Sequence, residues 1–353
     1  MRKTAFLIAL LMPLSLIAQR TDLDKAWFNY SYRHLPARLL DNSFMTYSVK
    51  VEKTVALDMY SNESANSLIN IEGRKKVEGT GHFNVLVSLS DLIIESTEVK
   101  ERVEIHKDKD GKETGRSYYY KVDVLYSFAA DARVTDFKGA QMASYGLASR
   151  SNKRVFSTSE YSKSSDAVNF YNNNKLEIKT QLVRENIEEA LSSLNSSLNN
   201  DFGYRTIASR EYLWALGSKK SAEFAAYGQA IETLKGALES VSADAVPSDI
   251  NGRMQPAIDY FNNMAAKYTD PEEKDQKKLR YGAYYNIALA YFFTEQFDKA
   301  IDYANRLINN DYDAKDGENM IKDIKKVQED LQQHSLVTRH FYPDVENAVP
   351  PQK

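Results

Sequence analysis

The chain has 353 residues, no cysteine and a formal net charge of −3 at pH 7. The lack of cysteine excludes disulfides, thiol catalysis, cysteine-based zinc sites and a lipid-modified amino-terminal cysteine. A weakly acidic chain with interspersed charges exerts no long-range attraction on a phosphate backbone, so nucleic acid is not expected as a partner.

The amino-terminal segment has the pattern of a secretory signal peptide. Arg2 and Lys3 form a basic head, residues 5–17 are largely apolar, and the small residue Ala18 ends the segment. This apolar run is too short to span about 30 Å of hydrocarbon comfortably. We therefore expect residues 1–18 to be removed and the mature chain to reach the periplasm or envelope of a Gram-negative bacterium. No later segment is apolar enough to predict a transmembrane helix.

In the first half of the chain, apolar residues recur at every second position, which is the period of strands with one buried face. The stripes cover residues 45–51, 83–89, 99–105 and 118–128. Asp108–Gly111 lies between two stripes and has the composition of a hairpin turn. The alternation predicts an antiparallel sheet of about five or six strands.

From Leu176 the apolar period becomes helical and continues to Leu198, with charged residues on the opposite side. Gly203, just past the last turn, is a plausible end of this helix. Its apolar stripe needs a partner, and the sheet is the nearest one. The pattern therefore predicts an antiparallel α+β domain over residues 19–203.

After about residue 210 the pattern is helical, with polar breaks and no strand signal. Helices joined by short loops indicate a stacked all-α array over residues 210–340. Residues 341–353 are polar and rich in proline, so we expect a disordered tail. The predicted fold class is thus α+β: an antiparallel sheet with a long packing helix, followed by an all-α domain.

One stretch in the all-α region, Tyr281–Asp311, carries large and small residues at fixed spacing. They are Tyr284, Ile287, Ala288 and Tyr291 in a first helix and Phe297, Ala300 and Ile301 in a second. This spacing resembles the tetratricopeptide repeat (TPR), in which small residues let two helices approach and large residues fill the gaps. It departs from the family at Ala288, where glycine is usual, and at Tyr312, where proline is usual.

The resemblance implies a protein-binding role and an inner face formed by the first helix of each repeat. Carried over by position, the partner-binding residues are Tyr285, Leu289, Phe292 and Phe293, an apolar set suited to a peptide or a partner helix. The alternative interpretation is that Phe292 and Phe293 pack on the neighbouring repeat. Such repeats bind many unrelated partners, so the family indicates the fold more than the function.

No catalytic motif occurs, and none of the five histidines pairs with another at a helical metal-ligand spacing. We therefore predict no catalytic, metal-binding or cofactor-binding residue. The leading interpretation is an exported envelope protein that is not an enzyme. It would act as a protein-binding scaffold or as an accessory subunit of an envelope assembly or secretion complex.

Two alternatives are open: a small-ligand or cell-wall-binding module carried by the α+β domain, and a hydrolase whose paired carboxylates have no sequence signature. The partner's identity and the oligomeric state stay open.

Overall fold

The computed structural model describes residues 21–54, 57 and 65–351 of the chain. The predicted signal peptide, residues 1–18, lies outside this range. Within it, no helix is long and apolar enough to cross a membrane.

Ten strands and six α-helices occur among the described residues. The strands are β1 (Leu23–Arg33), β2 (Thr46–Lys53), β3 (Lys75–Lys76), β4 (Phe83–Leu89), β5 (Ile93–Lys107), β6 (Glu113–Ser127), β7 (Ala130–Asp136), β8 (Gln141–Ala148), β9 (Arg154–Ser157) and β10 (Thr206–Leu216). The helices are α1 (Ser164–Phe202), α2 (Phe224–Leu238), α3 (Ile250–Lys267), α4 (Lys274–Phe293), α5 (Phe297–Asn309) and α6 (Ala314–Gln333). A 3₁₀-helix covers Ala65–Leu68. Strands predominate before α1 and helices after β10, so the predicted α+β class is confirmed.

The chain divides into two compact units. Of the described residues, unit 1 holds 21–33 and 206–342, and unit 2 holds 34–205 and 343–351. Most of unit 2, residues 34–205, is therefore inserted in the sequence between the two segments of unit 1. The predicted domains differ from this division because they assign β1 to the sheet domain and treat the helical domain as one continuous segment.

Unit 2 contains a five-stranded sheet in the order β3-β2-β4-β7-β8 and a three-stranded sheet in the order β5-β6-β9. In the larger sheet, β2 runs parallel to β3 and to β4, whereas the other pairs are antiparallel. The sheet is thus mixed and not purely antiparallel as predicted. The physical reason is that the segment between β2 and β4 returns the chain to the same end of the sheet, which a tight hairpin cannot do.

Helix α1 supplies the other half of the core of unit 2. The buried apolar side chains that it adds to one cluster with the inward residues of β2, β4 and β7 are Ile178, Leu182, Val183, Ile187, Ala190, Leu191, Leu194, Leu198 and Phe202. The helix ends as predicted at Gly203, whose backbone N–H donates to the Asn199 carbonyl. It begins earlier than the predicted Leu176, because Ala167 near its start packs on the smaller sheet with Val122 and Val124.

Unit 1 consists of a two-stranded antiparallel sheet, β1 with β10, and the helices α2–α6. The two strands pair over their whole length, from Leu23 opposite Leu216 to Arg33 opposite Thr206. Their inward residues join the same hydrophobic core as the helices. The prediction that no strand follows residue 210 is therefore wrong, since β10 is held by a partner strand far away in the sequence.

The carboxy-terminal residues form several hydrogen bonds although they lie outside helices and strands. In unit 1, the His340 ring lies between Tyr30 Oη (2.9 Å from Nε2) and the Ser242 carbonyl (2.7 Å from Nδ1). In unit 2, Lys75 Nζ donates to the Glu346 carbonyl at 2.9 Å. Of the predicted tail, residues 341–353, the structure describes residues 341–351, and the Glu346 carbonyl accepts this hydrogen bond; the disorder of the tail stays a prediction.

Candidate functional site

The four predicted partner-binding residues lie on the second half of α4, in unit 1. Leu289 and Phe293 are buried, each with 7% of its surface exposed, while Tyr285 and Phe292 are half-buried. Burial raises the pKa of the Tyr285 hydroxyl above its ordinary value, as expected of a phenol removed from water. These side chains are therefore not the lining of an open groove.

The two-stranded sheet of β1 and β10 covers the face of α4 that carries these four residues. The Tyr30 ring lies 4.3 Å from that of Phe293, and the Tyr212 ring stacks on Tyr285 with centroids 5.9 Å apart. The Arg339 guanidinium lies over Phe292. The face that the resemblance marks as a peptide groove is thus filled by β1, β10 and the carboxy-terminal segment of the same chain. A partner would reach only the exposed edges of Tyr285 and Phe292.

A buried amide on α4 fixes β10 in this position. Asn286 is fully buried; its Oδ1 accepts a hydrogen bond from the Trp214 backbone N–H at 2.7 Å, and its Nδ2 donates to the Trp214 carbonyl at 2.8 Å. Asn286 therefore pairs with the strand edge as a neighbouring strand would. It also donates to Tyr227 Oη at 3.3 Å, which ties α2 to the same point.

Unit 2 offers a surface of a different kind, the long hairpin of β5 and β6. Each strand has 15 residues, so each extends over about 50 Å. The predicted turn Asp108–Gly111 is confirmed: the Asp108 carboxylate accepts from two backbone N–H groups, and Gly111 has a φ of +80°. Strand β9 pairs only with Asp123–Tyr126, so the end of the hairpin near the turn is two-stranded.

One face of the hairpin is mainly apolar, interrupted by Glu101 and Arg116, and only its end away from the turn is covered. At the base, Val122 and Val124 are buried against the start of α1. Towards the turn, the same face carries Val99, Val103, Ile105 and Tyr118, which are 41%, 41%, 48% and 44% exposed. Val103 and Tyr118 are register partners, so their side chains lie side by side. The apolar face therefore continues beyond the core as an exposed strip.

Charged side chains on the opposite face of the hairpin form ion pairs with neighbouring residues. Lys100 pairs with Glu98 at 2.7 Å, and Arg102 pairs with Glu104 at 3.3 Å and with Glu160 at 2.7 Å. The hydrogen bonds from Arg102 hold the pKa of the Glu160 carboxyl below its ordinary value. Because these charges are solvated and mutually paired, the apolar strip is the face of the hairpin that gains most from a partner.

The outer backbone edge of β5 is a second feature of the hairpin that suits a binding partner. In the described part of the chain, β5 forms the edge of its sheet and pairs only with β6. A long edge strand presents N–H and C=O groups that can pair with an added strand. We define the hairpin surface as the strip of Val99, Val103, Ile105 and Tyr118 together with this edge.

The alternation at 99–105 and 118–128 predicts a face buried by the core, whereas the structure leaves part of this face exposed. The signal that could have corrected this is length. The stripe at 118–128 is about twice as long as the usual strand of about five or six residues, and the polar positions of the stripe at 99–105 are dense in charge. A strand pair longer than the body that it packs against must leave part of its apolar face uncovered.

A scan against protein-family models finds no match, and a search of curated proteins finds no significant match either. Among residues 21–54, 57 and 65–351, no group of three or more His, Asp or Glu side chains could hold a metal ion.

Proposed function

We propose that this protein is an exported component of the bacterial cell envelope that binds another protein and performs no catalysis. It would serve as a scaffold or an accessory subunit of an envelope assembly or secretion complex. The observation that carries this proposal is the hairpin surface of unit 2, where four large apolar side chains are more than two-fifths exposed on one face of a projecting strand pair.

The chemistry of the hairpin surface specifies the kind of partner. The free edge of β5 suits a segment that adds as a further strand, so that backbone hydrogen bonds provide affinity. The apolar strip then suits alternate apolar side chains on one face of that segment. The charged face around Arg102 and Glu160 would stay in water, since its ions already have partners.

Two features of the sequence support the same class of function. The signal-peptide pattern of residues 1–18 supports export. The resemblance of Tyr281–Asp311 to a tetratricopeptide repeat supports a protein-binding architecture, although strands of the same chain cover its inner face. For this reason we place the main contact on the hairpin surface and not on α4.

The test is partner recovery from detergent-solubilised envelopes with the immobilised chain as bait. The double variant Val103→Ser/Tyr118→Ser replaces the centre of the exposed strip. Both residues are more than two-fifths exposed, so the fold should tolerate the change. We expect the parent to recover one stoichiometric protein and the variant to lose it, with unchanged circular dichroism and thermal unfolding.

The matched control is Arg102→Ser/Tyr119→Ser, a register pair on the opposite face that also removes one tyrosine. It should recover the partner as the parent does. The proposal fails if the parent recovers no stoichiometric protein. The hairpin surface is excluded if the partner is still recovered with Val103→Ser/Tyr118→Ser.

A further inference from the structure

Unit 1 contains a groove between α3, α4 and α5 that the proposed function does not use. It consists of two adjoining cavities of about 500 Å³ and 470 Å³. They share Thr269, Arg280, Tyr284 and Arg306, so they form one continuous depression. Each volume lies in the range of about 300–1,000 Å³ that is usual for small-ligand sites.

Arg280 lies in this groove and is only 9% exposed. Its Nε donates to Asn310 Oδ1 at 2.8 Å, and its Nη1 donates to the carbonyls of Tyr268 and Asp270. Asn310 is itself fixed, because its Nδ2 donates to the Lys277 carbonyl at 2.8 Å. These bonds orient the guanidinium rigidly and leave its Nη2 amino group available to a ligand.

The oxygens that accept hydrogen bonds from Arg280 are neutral. Among the residues that the structure describes, no carboxylate lies within ion-pair distance of its guanidinium, although it is buried. The two other cations of the groove do have such partners: Arg306 pairs with Asp302 at 2.9 Å, and Lys277 lies 3.7 Å from Asp311. A buried positive charge is costly unless an anion compensates it. Arg280 is thus the cation of this groove that lacks a counter-ion.

We propose that the groove binds a monovalent carboxylate and that Arg280 is the residue that holds it. Nη2 would donate to the ligand, and Thr269 and Arg306 line the same depression. The rings of Tyr284 and Tyr303 line its wall and suit an apolar body attached to the carboxylate. A single negative charge matches best, because Glu272 also lines the groove and would repel a dianion.

The test uses the purified full chain and probes that differ only in charge. Benzoate carries the carboxylate, and benzamide has nearly the same shape without the charge. Binding is followed in solution by the chemical shifts of the arginine Nε–H groups. We expect benzoate to bind saturably and benzamide to bind at least about ten-fold more weakly, as for the loss of a charge-assisted hydrogen bond.

Two variants locate the site without removing the buried arginine. Asn310→Asp keeps an acceptor for Arg280 Nε and supplies the missing carboxylate from within the chain, so benzoate affinity should fall about ten-fold or more. Asn305→Asp makes the same change in charge at an exposed position of α5 and should leave affinity nearly unchanged. Thermal unfolding of both variants verifies that the fold is kept.

Equal affinity for benzoate and benzamide, or parent-like affinity in Asn310→Asp, would overturn the proposal. Tighter binding of inorganic phosphate than of benzoate would overturn the choice of a monovalent carboxylate. A titration with acetyl-alanyl-phenylalanine and its amide identifies the source of the carboxylate. Preference for the free acid over benzoate points to a peptide end, and preference for benzoate points to a small organic acid. Either result supports the carboxylate site.

Discussion

Replacement of Asn286 by alanine should destabilise unit 1 strongly, because one amide satisfies two backbone groups of β10. The variant removes the acceptor for the Trp214 N–H and the donor to the Trp214 carbonyl, which lie 2.7 Å and 2.8 Å from the side chain. A polar group left without its partner costs about 1–3 kcal/mol. Two such groups predict a loss of about 2–6 kcal/mol in the free energy of unfolding.

The assay is urea unfolding followed by tryptophan fluorescence. The chain has two tryptophans, Trp27 in β1 and Trp214 in β10, and both belong to unit 1. Their emission therefore reports the unfolding of this unit without interference from unit 2. The control Asn305→Ala, at an exposed position of α5, should change the free energy by no more than about 0.5 kcal/mol.

An Asn286→Asp variant gives a second, independent check. It keeps the acceptor for the Trp214 N–H but places a buried carboxylate against a carbonyl oxygen, so it should be less stable than the parent at neutral pH. Burial raises the pKa of such a carboxyl, and stability should recover as the pH falls and the group is protonated. If Asn286→Ala unfolds at the urea concentration of the parent, Asn286 does not hold β10 and the reasoning is refuted.

Two further predictions concern the helices of unit 1. Ala300 is fully buried, so Ala300→Leu should overpack α5 and cost about 1–3 kcal/mol in the same assay, and an unchanged transition would exclude close packing there. Burial alone would raise the pKa of Glu223, but hydrogen bonds from Lys267, Tyr268 and Tyr260 hold it below its ordinary value. The stabilisation that the ionised Glu223 carboxylate provides should therefore be complete at neutral pH. It should disappear as the pH falls through this lowered pKa. The measurement is urea unfolding of the parent and of Glu223→Gln at several pH values. The difference in their free energies of unfolding should shrink as the pH falls, and a pH-independent difference would contradict this prediction.

The sequence predicted those elements whose two faces differ in polarity. The stripes at 83–89 and 118–128 read correctly as strands, and Leu176–Leu198 as a helix, because each has one apolar face against a core. Strand β1 was not predicted, although its residues from Lys25 onwards alternate in polarity with one exception. Trp27 lies on the face of Lys25, Asn29 and Ser31, and this one aromatic ring interrupts the alternation of that polar face with the buried Phe28 and Tyr30.

The candidate sites were harder to predict for a related reason. Tyr285 and Phe293 have the spacing of groove residues, but a strand about 260 residues upstream packs on their helix, and no local pattern reveals such a contact. Arg280 appears in the sequence as one more charge on a polar helix face. Only the fold shows that it is buried among neutral oxygens.

The insertion of residues 34–205 of unit 2 between β1 and β10 sets the order in which the chain can fold as it is synthesised. The first strand of unit 1 is made before all of residues 34–205, while its pairing partner is made after them. Most of unit 2 is therefore complete before unit 1 can close, and β1 must wait as an unpaired, aromatic-rich segment. Closure of unit 1 is then the step of longest sequence separation and should be the slow phase of refolding. A fragment that begins at residue 210 lacks β1 altogether, so it would leave β10 and the aromatic face of α4 without their cover.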